Sequence, residues 1–352
     1  ADGEERMWLD GRPYTYVDPK YERTNPPGSL AEILRNRDNV QWKDSYSAEQ
    51  MRPAYVEREA RLRLLDEQGL EAAVLLPTLA VCVEHPIRRD PELTFAVLRA
   101  FNRWLEDDWG YGAQGRIFAA PLLSLLDLDL ALAELERVLG RGARLVHLKP
   151  GPVAGRSPAD PHFDPFWARV QEAGVPVVFH ISDSGYNELY SVDWGESANP
   201  PVRQQSAFQW CMFHGDRPIM ETLAALCFHN LFGRFPRLRV MSIENGSGWV
   251  AYLVSNLDKK KGMGRFGPWP GGRPEGRMSE IFKRHVWVAP YPEDDVPGLI
   301  GFLGAERVLF GSDFPHPEGL REPLDFAGLM PGVDEAQRRR VMRENAAGLL
   351  GL

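Results

Sequence analysis

Cysteine is scarce in this sequence: Cys82, Cys211 and Cys227 stand far apart, with no CxxC pair. That spacing excludes a disulfide framework and suggests a reducing compartment. Basic charge is not in excess. Lys and Arg total 41 against 49 Asp and Glu, a formal net charge of −8. A general nucleic-acid binder needs a basic face, so that class is excluded, although a local basic pocket is not. No apolar stretch is long enough to span a bilayer, and the run near Leu122 is broken by Asp127 and Asp129. No membrane partner is expected. The chain opens on polar and charged residues without a signal peptide, so a soluble, cytoplasmic protein is the expectation. It begins Ala1-Asp2-Gly3 with no initiator Met, which reads as a processed, truncated or partial start. There is no P-loop, no GxGxxG after a strand, and no G-x-S-x-G elbow for a nucleophilic Ser.

What is present is a repeated unit: an amphipathic helix, a Gly, then a short apolar strand. Arg58 to Gln68 is followed by Gly69 and Ala72 to Leu76. Asp127 to Leu139 leads through Gly140 and Gly142 to Arg144–Leu148. Phe163 to Ala173 leads through Gly174 to Val175–His180. Glu221 to Leu231 leads to Leu238–Ile243, and Pro297 to Leu303 leads through Gly304 to Arg307–Leu309. Gly suits a helix end because it takes positive φ without strain. Ile117 to Pro121 and His285 to Ala289 are two further strands. Helices alternating with apolar strands predict a parallel α/β sheet. With 352 residues and 43% hydrophobic content, one (β/α)8 TIM-type barrel with insertions fits. Seven strands are readable, so the first strand is expected upstream of Ala1 and missing from this chain. Residues 1–55, rich in Pro, Asp, Glu and Arg, read as an N-terminal arm, and 56–352 as the barrel.

Two long loops share the face of the strand tips. Residues 182–216 hold Tyr186, Tyr190, Trp194, Phe208, Trp210 and Phe213. Such a loop covers an apolar substrate or packs a satellite core or subunit interface. Residues 259–277 carry Lys259, Lys260, Lys261, Arg265, Arg273 and Arg277, either a solvated charge run or a grip on an anionic substrate tail.

The chemistry-bearing residues stand at strand tips, where ligands bind in α/β folds. Asp313, in Phe310-Gly311-Ser312-Asp313-Phe314-Pro315-His316, can bind a metal, handle a proton, or cap a helix. His180 can give one ring nitrogen to a metal while the other meets a hydrogen-bond acceptor. Otherwise it is a hydrogen-bonded core His. Glu244 opens Glu244-Asn245-Gly246-Ser247-Gly248-Trp249 and reads as a ligand, a base with a raised pKa, or a helix-start acceptor. His147 and Lys149 alternate along one strand and share a face. If that face is interior, Lys149 can bind a substrate carboxylate or sit beside a metal. His316 lies within reach of the mouth. Glu84 and His85 are weaker candidates, and His229 reads as structural.

At Val178-Phe179-His180, Ser242-Ile243-Glu244-Asn245-Gly246 and the Asp313 stretch, the chain resembles the amidohydrolase superfamily. More narrowly it resembles the branch containing aminocarboxymuconate-semialdehyde decarboxylase and related aromatic-acid decarboxylases. The resemblance implies a distorted (β/α)8 barrel and a divalent metal, Zn, Mn or Fe. In that family a His-bearing motif on the first strand, a His on the fifth and an Asp on the eighth hold the metal. The last two map onto His180 and Asp313. The first-strand motif has no counterpart here. Glu244 stands where the sixth strand often has His, which shifts preference toward manganese or iron over zinc.

The resemblance thus implies a metal-dependent hydrolase or non-oxidative decarboxylase of a hydrophobic or aromatic carboxylate or acyl compound. Its metal ligands would be His180, Asp313 and Glu244. Asp313, Glu244 and His316 would act in catalysis, and His147, Lys149, Tyr186, Trp194 and Trp210 would meet the substrate. A homodimer is expected from the family. Two alternatives stay open: a dinuclear-iron oxygenase built on Glu244, Asp313, His180 and His316, and a metal-free barrel that only binds a ligand or partner.

Overall fold

The computed structural model describes residues 8–9, 11–13, 23–36, 49–200 and 204–352. Parallel strands follow one another in chain order, each after a helix except Leu122–Leu123, which directly continues Ile117–Ala119. Ala73–Leu75 pairs with Ile117–Ala119. The chain then bends at Pro121, and Leu122–Leu123 pairs instead with Val146–Leu148. The Pro121 carbonyl accepts the His147 N–H at 2.9 Å, while its ring nitrogen has no proton to give. Val177–His180, Val240–Ile243 and Val286–Val288 add in turn. Val308 continues the series through one parallel bridge to Val288. This is the α/β barrel expected, with seven strand positions in sequential order. Among the described residues, no strand pairs with the far side of Val308 or of Ala73–Leu75.

The expected strand at Arg307–Leu309 is reduced to that bridge, because a 3-10 turn takes Ala305–Arg307 and Val308 has a strand neighbour on one side only. The helix expected from Glu221 starts earlier and spans Asp216–Phe228. Pro218 fits inside it because first-turn N–H groups need no intrahelical partner. The loop 182–216 carries short helices at Tyr186–Leu189 and Ala207–Phe213, the second opened by a Ser206–Gln209 capping box. The first part of the loop 259–277 is helical too, since Gly248–Met263 is one helix with Lys260 and Lys261 in its last turn. Lys261 Nζ donates to the carbonyls of Pro274 and Gly276, and Arg277 meets Asp258 at 3.1 Å. Those two cations therefore tie the loop to its helix. No helix among the described residues is long and apolar enough to cross a membrane.

Two apolar layers follow from the strand period of two. Residues such as Ile117, Val177, Phe179, Val240 and Val286 face the surrounding helices. Their neighbours Phe118, Leu145, Val178, Met241, Ala289 and Leu309 meet inside the ring, with Val74 and Leu76 against them. Leu349 and Leu350, from the helix Asn345–Leu350, close this inner cluster. At the mouth, the described part of residues 23–56 leans on the loop that carries Asp313. Leu30 N donates to Pro317 O at 2.9 Å, and the Tyr55 ring packs edge-on to Phe314 at 5.9 Å.

Candidate active site

His180 ends the Val177–His180 strand two residues beyond Val178, so it shares the inner face and is buried. Its Nδ1–H donates to the Ile181 carbonyl at 2.8 Å. The other nitrogen, Nε2, lies 2.6 Å from Glu244 Oε2. With Nδ1 protonated, an imidazole lone pair would face a carboxylate at that distance, so a proton or a metal cation belongs between them. Burial disfavours the charged ring, but the Glu244 carboxylate outweighs it and raises the His180 pKa. Burial likewise works against ionised Glu244, and His180, with His316 behind it, holds the carboxyl below its usual range.

Glu244 and Asp313 follow their strands with φ of 53° and 51°. Non-glycine residues avoid this left-handed region unless the surroundings enforce it, and such residues gather at functional sites. Asp313 Oδ1 accepts from His316 Nδ1 at 2.8 Å. Burial above all, with Glu244 nearby, pushes the Asp313 pKa up to about 6 against the pull of His316. For His316, burial is overcome by the hydrogen bond and charge of Asp313, and its pKa rises to about 9. Ligand atoms of Glu244, Asp313, His316 and Glu318 all lie within 4.8 Å of one another. His180 stands beside this group through Glu244.

His147 is 1% exposed and neither ring nitrogen has a hydrogen-bond partner. Its ring lies 6.2 Å from that of His180. Burial first, then the His180 charge, keeps it neutral, so it offers a lone pair. A buried imidazole without hydrogen-bond partners, beside a His–Glu pair that a proton or a metal cation would bridge, fits a metal site. Two or more carboxylates with imidazole suit a divalent ion such as manganese or iron. The residues therefore fit the metal that the family implies.

The other sequence candidates are spread around this centre. Lys149 is buried, and its Nζ has Glu84 Oε1 at 3.9 Å, too long for a hydrogen bond. Burial raises the Glu84 pKa, with Lys149 and Ser124 opposing it. Tyr186 is buried, and its hydroxyl donates to Glu221 Oε2 at 2.7 Å. Glu221 also receives Tyr190 at 3.2 Å and Arg217 at 2.9 Å, so Tyr186 belongs to a polar cluster of its own. Trp194 is 69% exposed against Phe208, and Trp210 is 48% exposed and stacked on His214. Neither indole lies in the carboxylate group.

Sequence reasoning missed Glu318 and Tyr291. Glu318 lies two residues past His316, in the same stretch. Tyr291 follows Val286–Val288, a segment the sequence already reads as a strand. Its hydroxyl donates to the Glu244 carbonyl at 2.9 Å. Burial, with the charges of Glu244, Asp216 and Asp313, keeps this phenol protonated and therefore a donor.

A family model for amidohydrolases matches residues 26–352, and the chain belongs to that family. Among solved structures it is similar to an amidohydrolase from Mycobacterium avium subsp. paratuberculosis, at 38% identity and a TM-score of 0.88, covering 100% of this chain and 91% of that one. A dihydroxybenzoic acid decarboxylase from Polaromonas sp., solved with manganese and 2-nitroresorcinol, shares the fold at 21% identity and a TM-score of 0.64 over 84% of this chain and 86% of that one. A 5-carboxyvanillate decarboxylase from Sphingomonas paucimobilis does so at 19% identity and a TM-score of 0.61, covering 94% and 98%. No curated protein matches. Membership makes the chain an enzyme of the amidohydrolase family.

Proposed function

We propose that this enzyme is a metal-dependent carboxy-lyase of a small aromatic or hydrophobic carboxylate. The observation that carries this reading is the convergence of donors from separate strand ends: His180 on Glu244 at 2.6 Å, and Glu244 with Asp313, His316 and Glu318 within 4.8 Å. His180, Glu244 and Asp313 would hold the divalent ion, with manganese or iron favoured by the two carboxylates. Bound there, it would supply Lewis-acid stabilisation of charge developing on a substrate oxygen. Lys149, a buried ammonium without a close hydrogen bond, is an ionic anchor for a substrate carboxylate. Neutral His147 borders the same space and can accept a substrate hydroxyl proton. The His316 N–H held on Asp313 is a stored proton. As the bond from the ring carbon to the carboxylate breaks, CO2 leaves and the electron pair stays on carbon. A proton from the His316–Asp313 pair then completes the C–H bond.

Support for an aromatic acid comes from the decarboxylases that share the fold. A second reading is hydrolysis, favoured by the amidohydrolase at 38% identity. In it the same pair would take a proton from water instead of giving one to carbon.

The test loads the enzyme with Mn(II) and incubates it with a panel of hydroxybenzoates, and separately with esters, amides and lactones. Equal amounts of CO2 and phenol support the carboxy-lyase. Release of an acid and an alcohol or amine without CO2 supports the hydrolase. If aromatic acids neither turn over nor change the quenching of Trp194 and Trp210 fluorescence, the substrate class is wrong.

A further inference from the structure

The residue that carries the strained backbone of the candidate site is clamped from a neighbouring strand. Glu244 has φ of 53°, and Gly246, two residues on, has φ of 63°. The turn between them is held by the loop after Val286–Val288. Tyr291 O–H donates to the Glu244 carbonyl at 2.9 Å. Its ring lies close against Gly246: a Cβ placed there would meet ring carbons at 2.8 and 2.9 Å. The loop is itself fixed by Asp294. One oxygen, Oδ2, accepts the Tyr291 N–H at 2.9 Å, the Ser247 N–H at 2.8 Å and the Ser247 hydroxyl at 2.9 Å. One carboxylate thus ties together the two segments that meet around Glu244.

We infer that Tyr291, set by Asp294, is a positioning residue that holds the Glu244 carboxylate in the geometry required to bind the metal. The inference rests on Glu244 being a ligand, as in the function proposed above. The physical reason is local. A carboxylate on a left-handed residue points where its backbone dictates, and alternative conformations of lower strain would turn it away from His180. The Tyr291 hydrogen bond is made to the carbonyl of that same residue, so it acts on the peptide plane that fixes the side-chain direction. Gly246 is required because any side chain would displace the ring.

The experiment measures the Kd for Mn(II) by electron paramagnetic resonance of the free ion. The proteins are wild type, Tyr291→Phe, Glu244→Ala and the double variant, each with a melt of the metal-free form. Tyr291→Phe keeps the ring on Gly246 and removes only the hydroxyl. It is expected to weaken Mn(II) about tenfold, as loss of groups that orient ligands does. Its metal-free Tm should shift by only a few degrees, about the effect of one hydrogen bond. In the Glu244→Ala background the same change should leave the Kd unaltered, since no carboxylate remains to orient. Wild-type affinity in Tyr291→Phe, or equal weakening in both backgrounds, would overturn the inference while the ligand assignment stood. No Mn(II) binding by wild type, or unchanged binding in Glu244→Ala, would remove the ligand assignment itself and the inference with it.

Discussion

The floor and the mouth of this barrel are built from the same strands and differ within two to four residues along each. Leu145 lies in the inner apolar cluster, and His147 and Lys149 follow at the same parity. Val178 lies there too, and His180 follows. Met241 and Leu309 belong to the floor, while Glu244 and Asp313 end the same segments. The floor is closed by Leu349 and Leu350 and satisfies itself. The mouth does not: it holds a His with no partner, two carboxylates on strained backbone, and a His–Glu contact that calls for a cation. One end of a strand can thus be spent on packing while the other concentrates charge, because the period of two keeps a face constant and position along the strand sets depth.

The largest break in this comparison should come from Asp313→Asn. Turnover is expected to fall by about a thousandfold, from the loss of a ligand and of the proton held with His316. The folded protein should persist, as read by circular dichroism, because the floor is untouched. Loss of the fold together with activity would erase the division between the two ends. Met241→Ala, on the floor, should do the reverse. Removing a side chain that is 3% exposed is expected to cost about 2–5 kcal/mol in urea unfolding, with Mn(II) affinity unchanged.

A smaller effect sharpens the comparison through pH. His285 sits at the floor end, where its Nδ1–H donates to Leu238 O at 2.8 Å and its ring stacks on Phe232. Burial lowers its pKa in the folded state. Between that lowered value and the ordinary one near 6.5 the unfolded chain binds the extra proton, so stability is present above this window and falls as pH drops through it. The slope from one group is at most about 1.4 kcal/mol per pH unit. Urea midpoints from pH 7.5 to 5.5 should show a shallower loss in His285→Phe than in wild type. An equal slope would mean that His285 is not held neutral.

Much of this was legible in the sequence. The helix–Gly–strand units located the strands, because alternation and helix stops are local signals. Strand tips singled out His180, Glu244 and Asp313, and the family pattern maps onto His180 and Asp313, while Glu244 departs from it. Lys149 could be placed on the same face as His147 by parity alone. What sequence could not supply were contacts between segments far apart. Tyr291 stands 47 residues from Glu244, and nothing in its own stretch marks it as that residue's clamp. Tyr186 stands out in the sequence as an aromatic near a tip, but the sequence does not show that its hydroxyl donates to Glu221, 35 residues on. The basic loop looked free until Lys261 and Arg277 were seen to bind its own backbone and Asp258.

The sequence by itself determined the class of fold, the parity of each strand and the chemical types at the mouth, because these depend on neighbours a few residues away. Tertiary structure alone decided which carboxylate meets which imidazole, which His is left without a partner, and how Glu244 is held at positive φ. Those outcomes depend on distances between strand ends that the chain brings together only when the ring of strands forms, and Coulomb and hydrogen-bond energies change steeply over such distances.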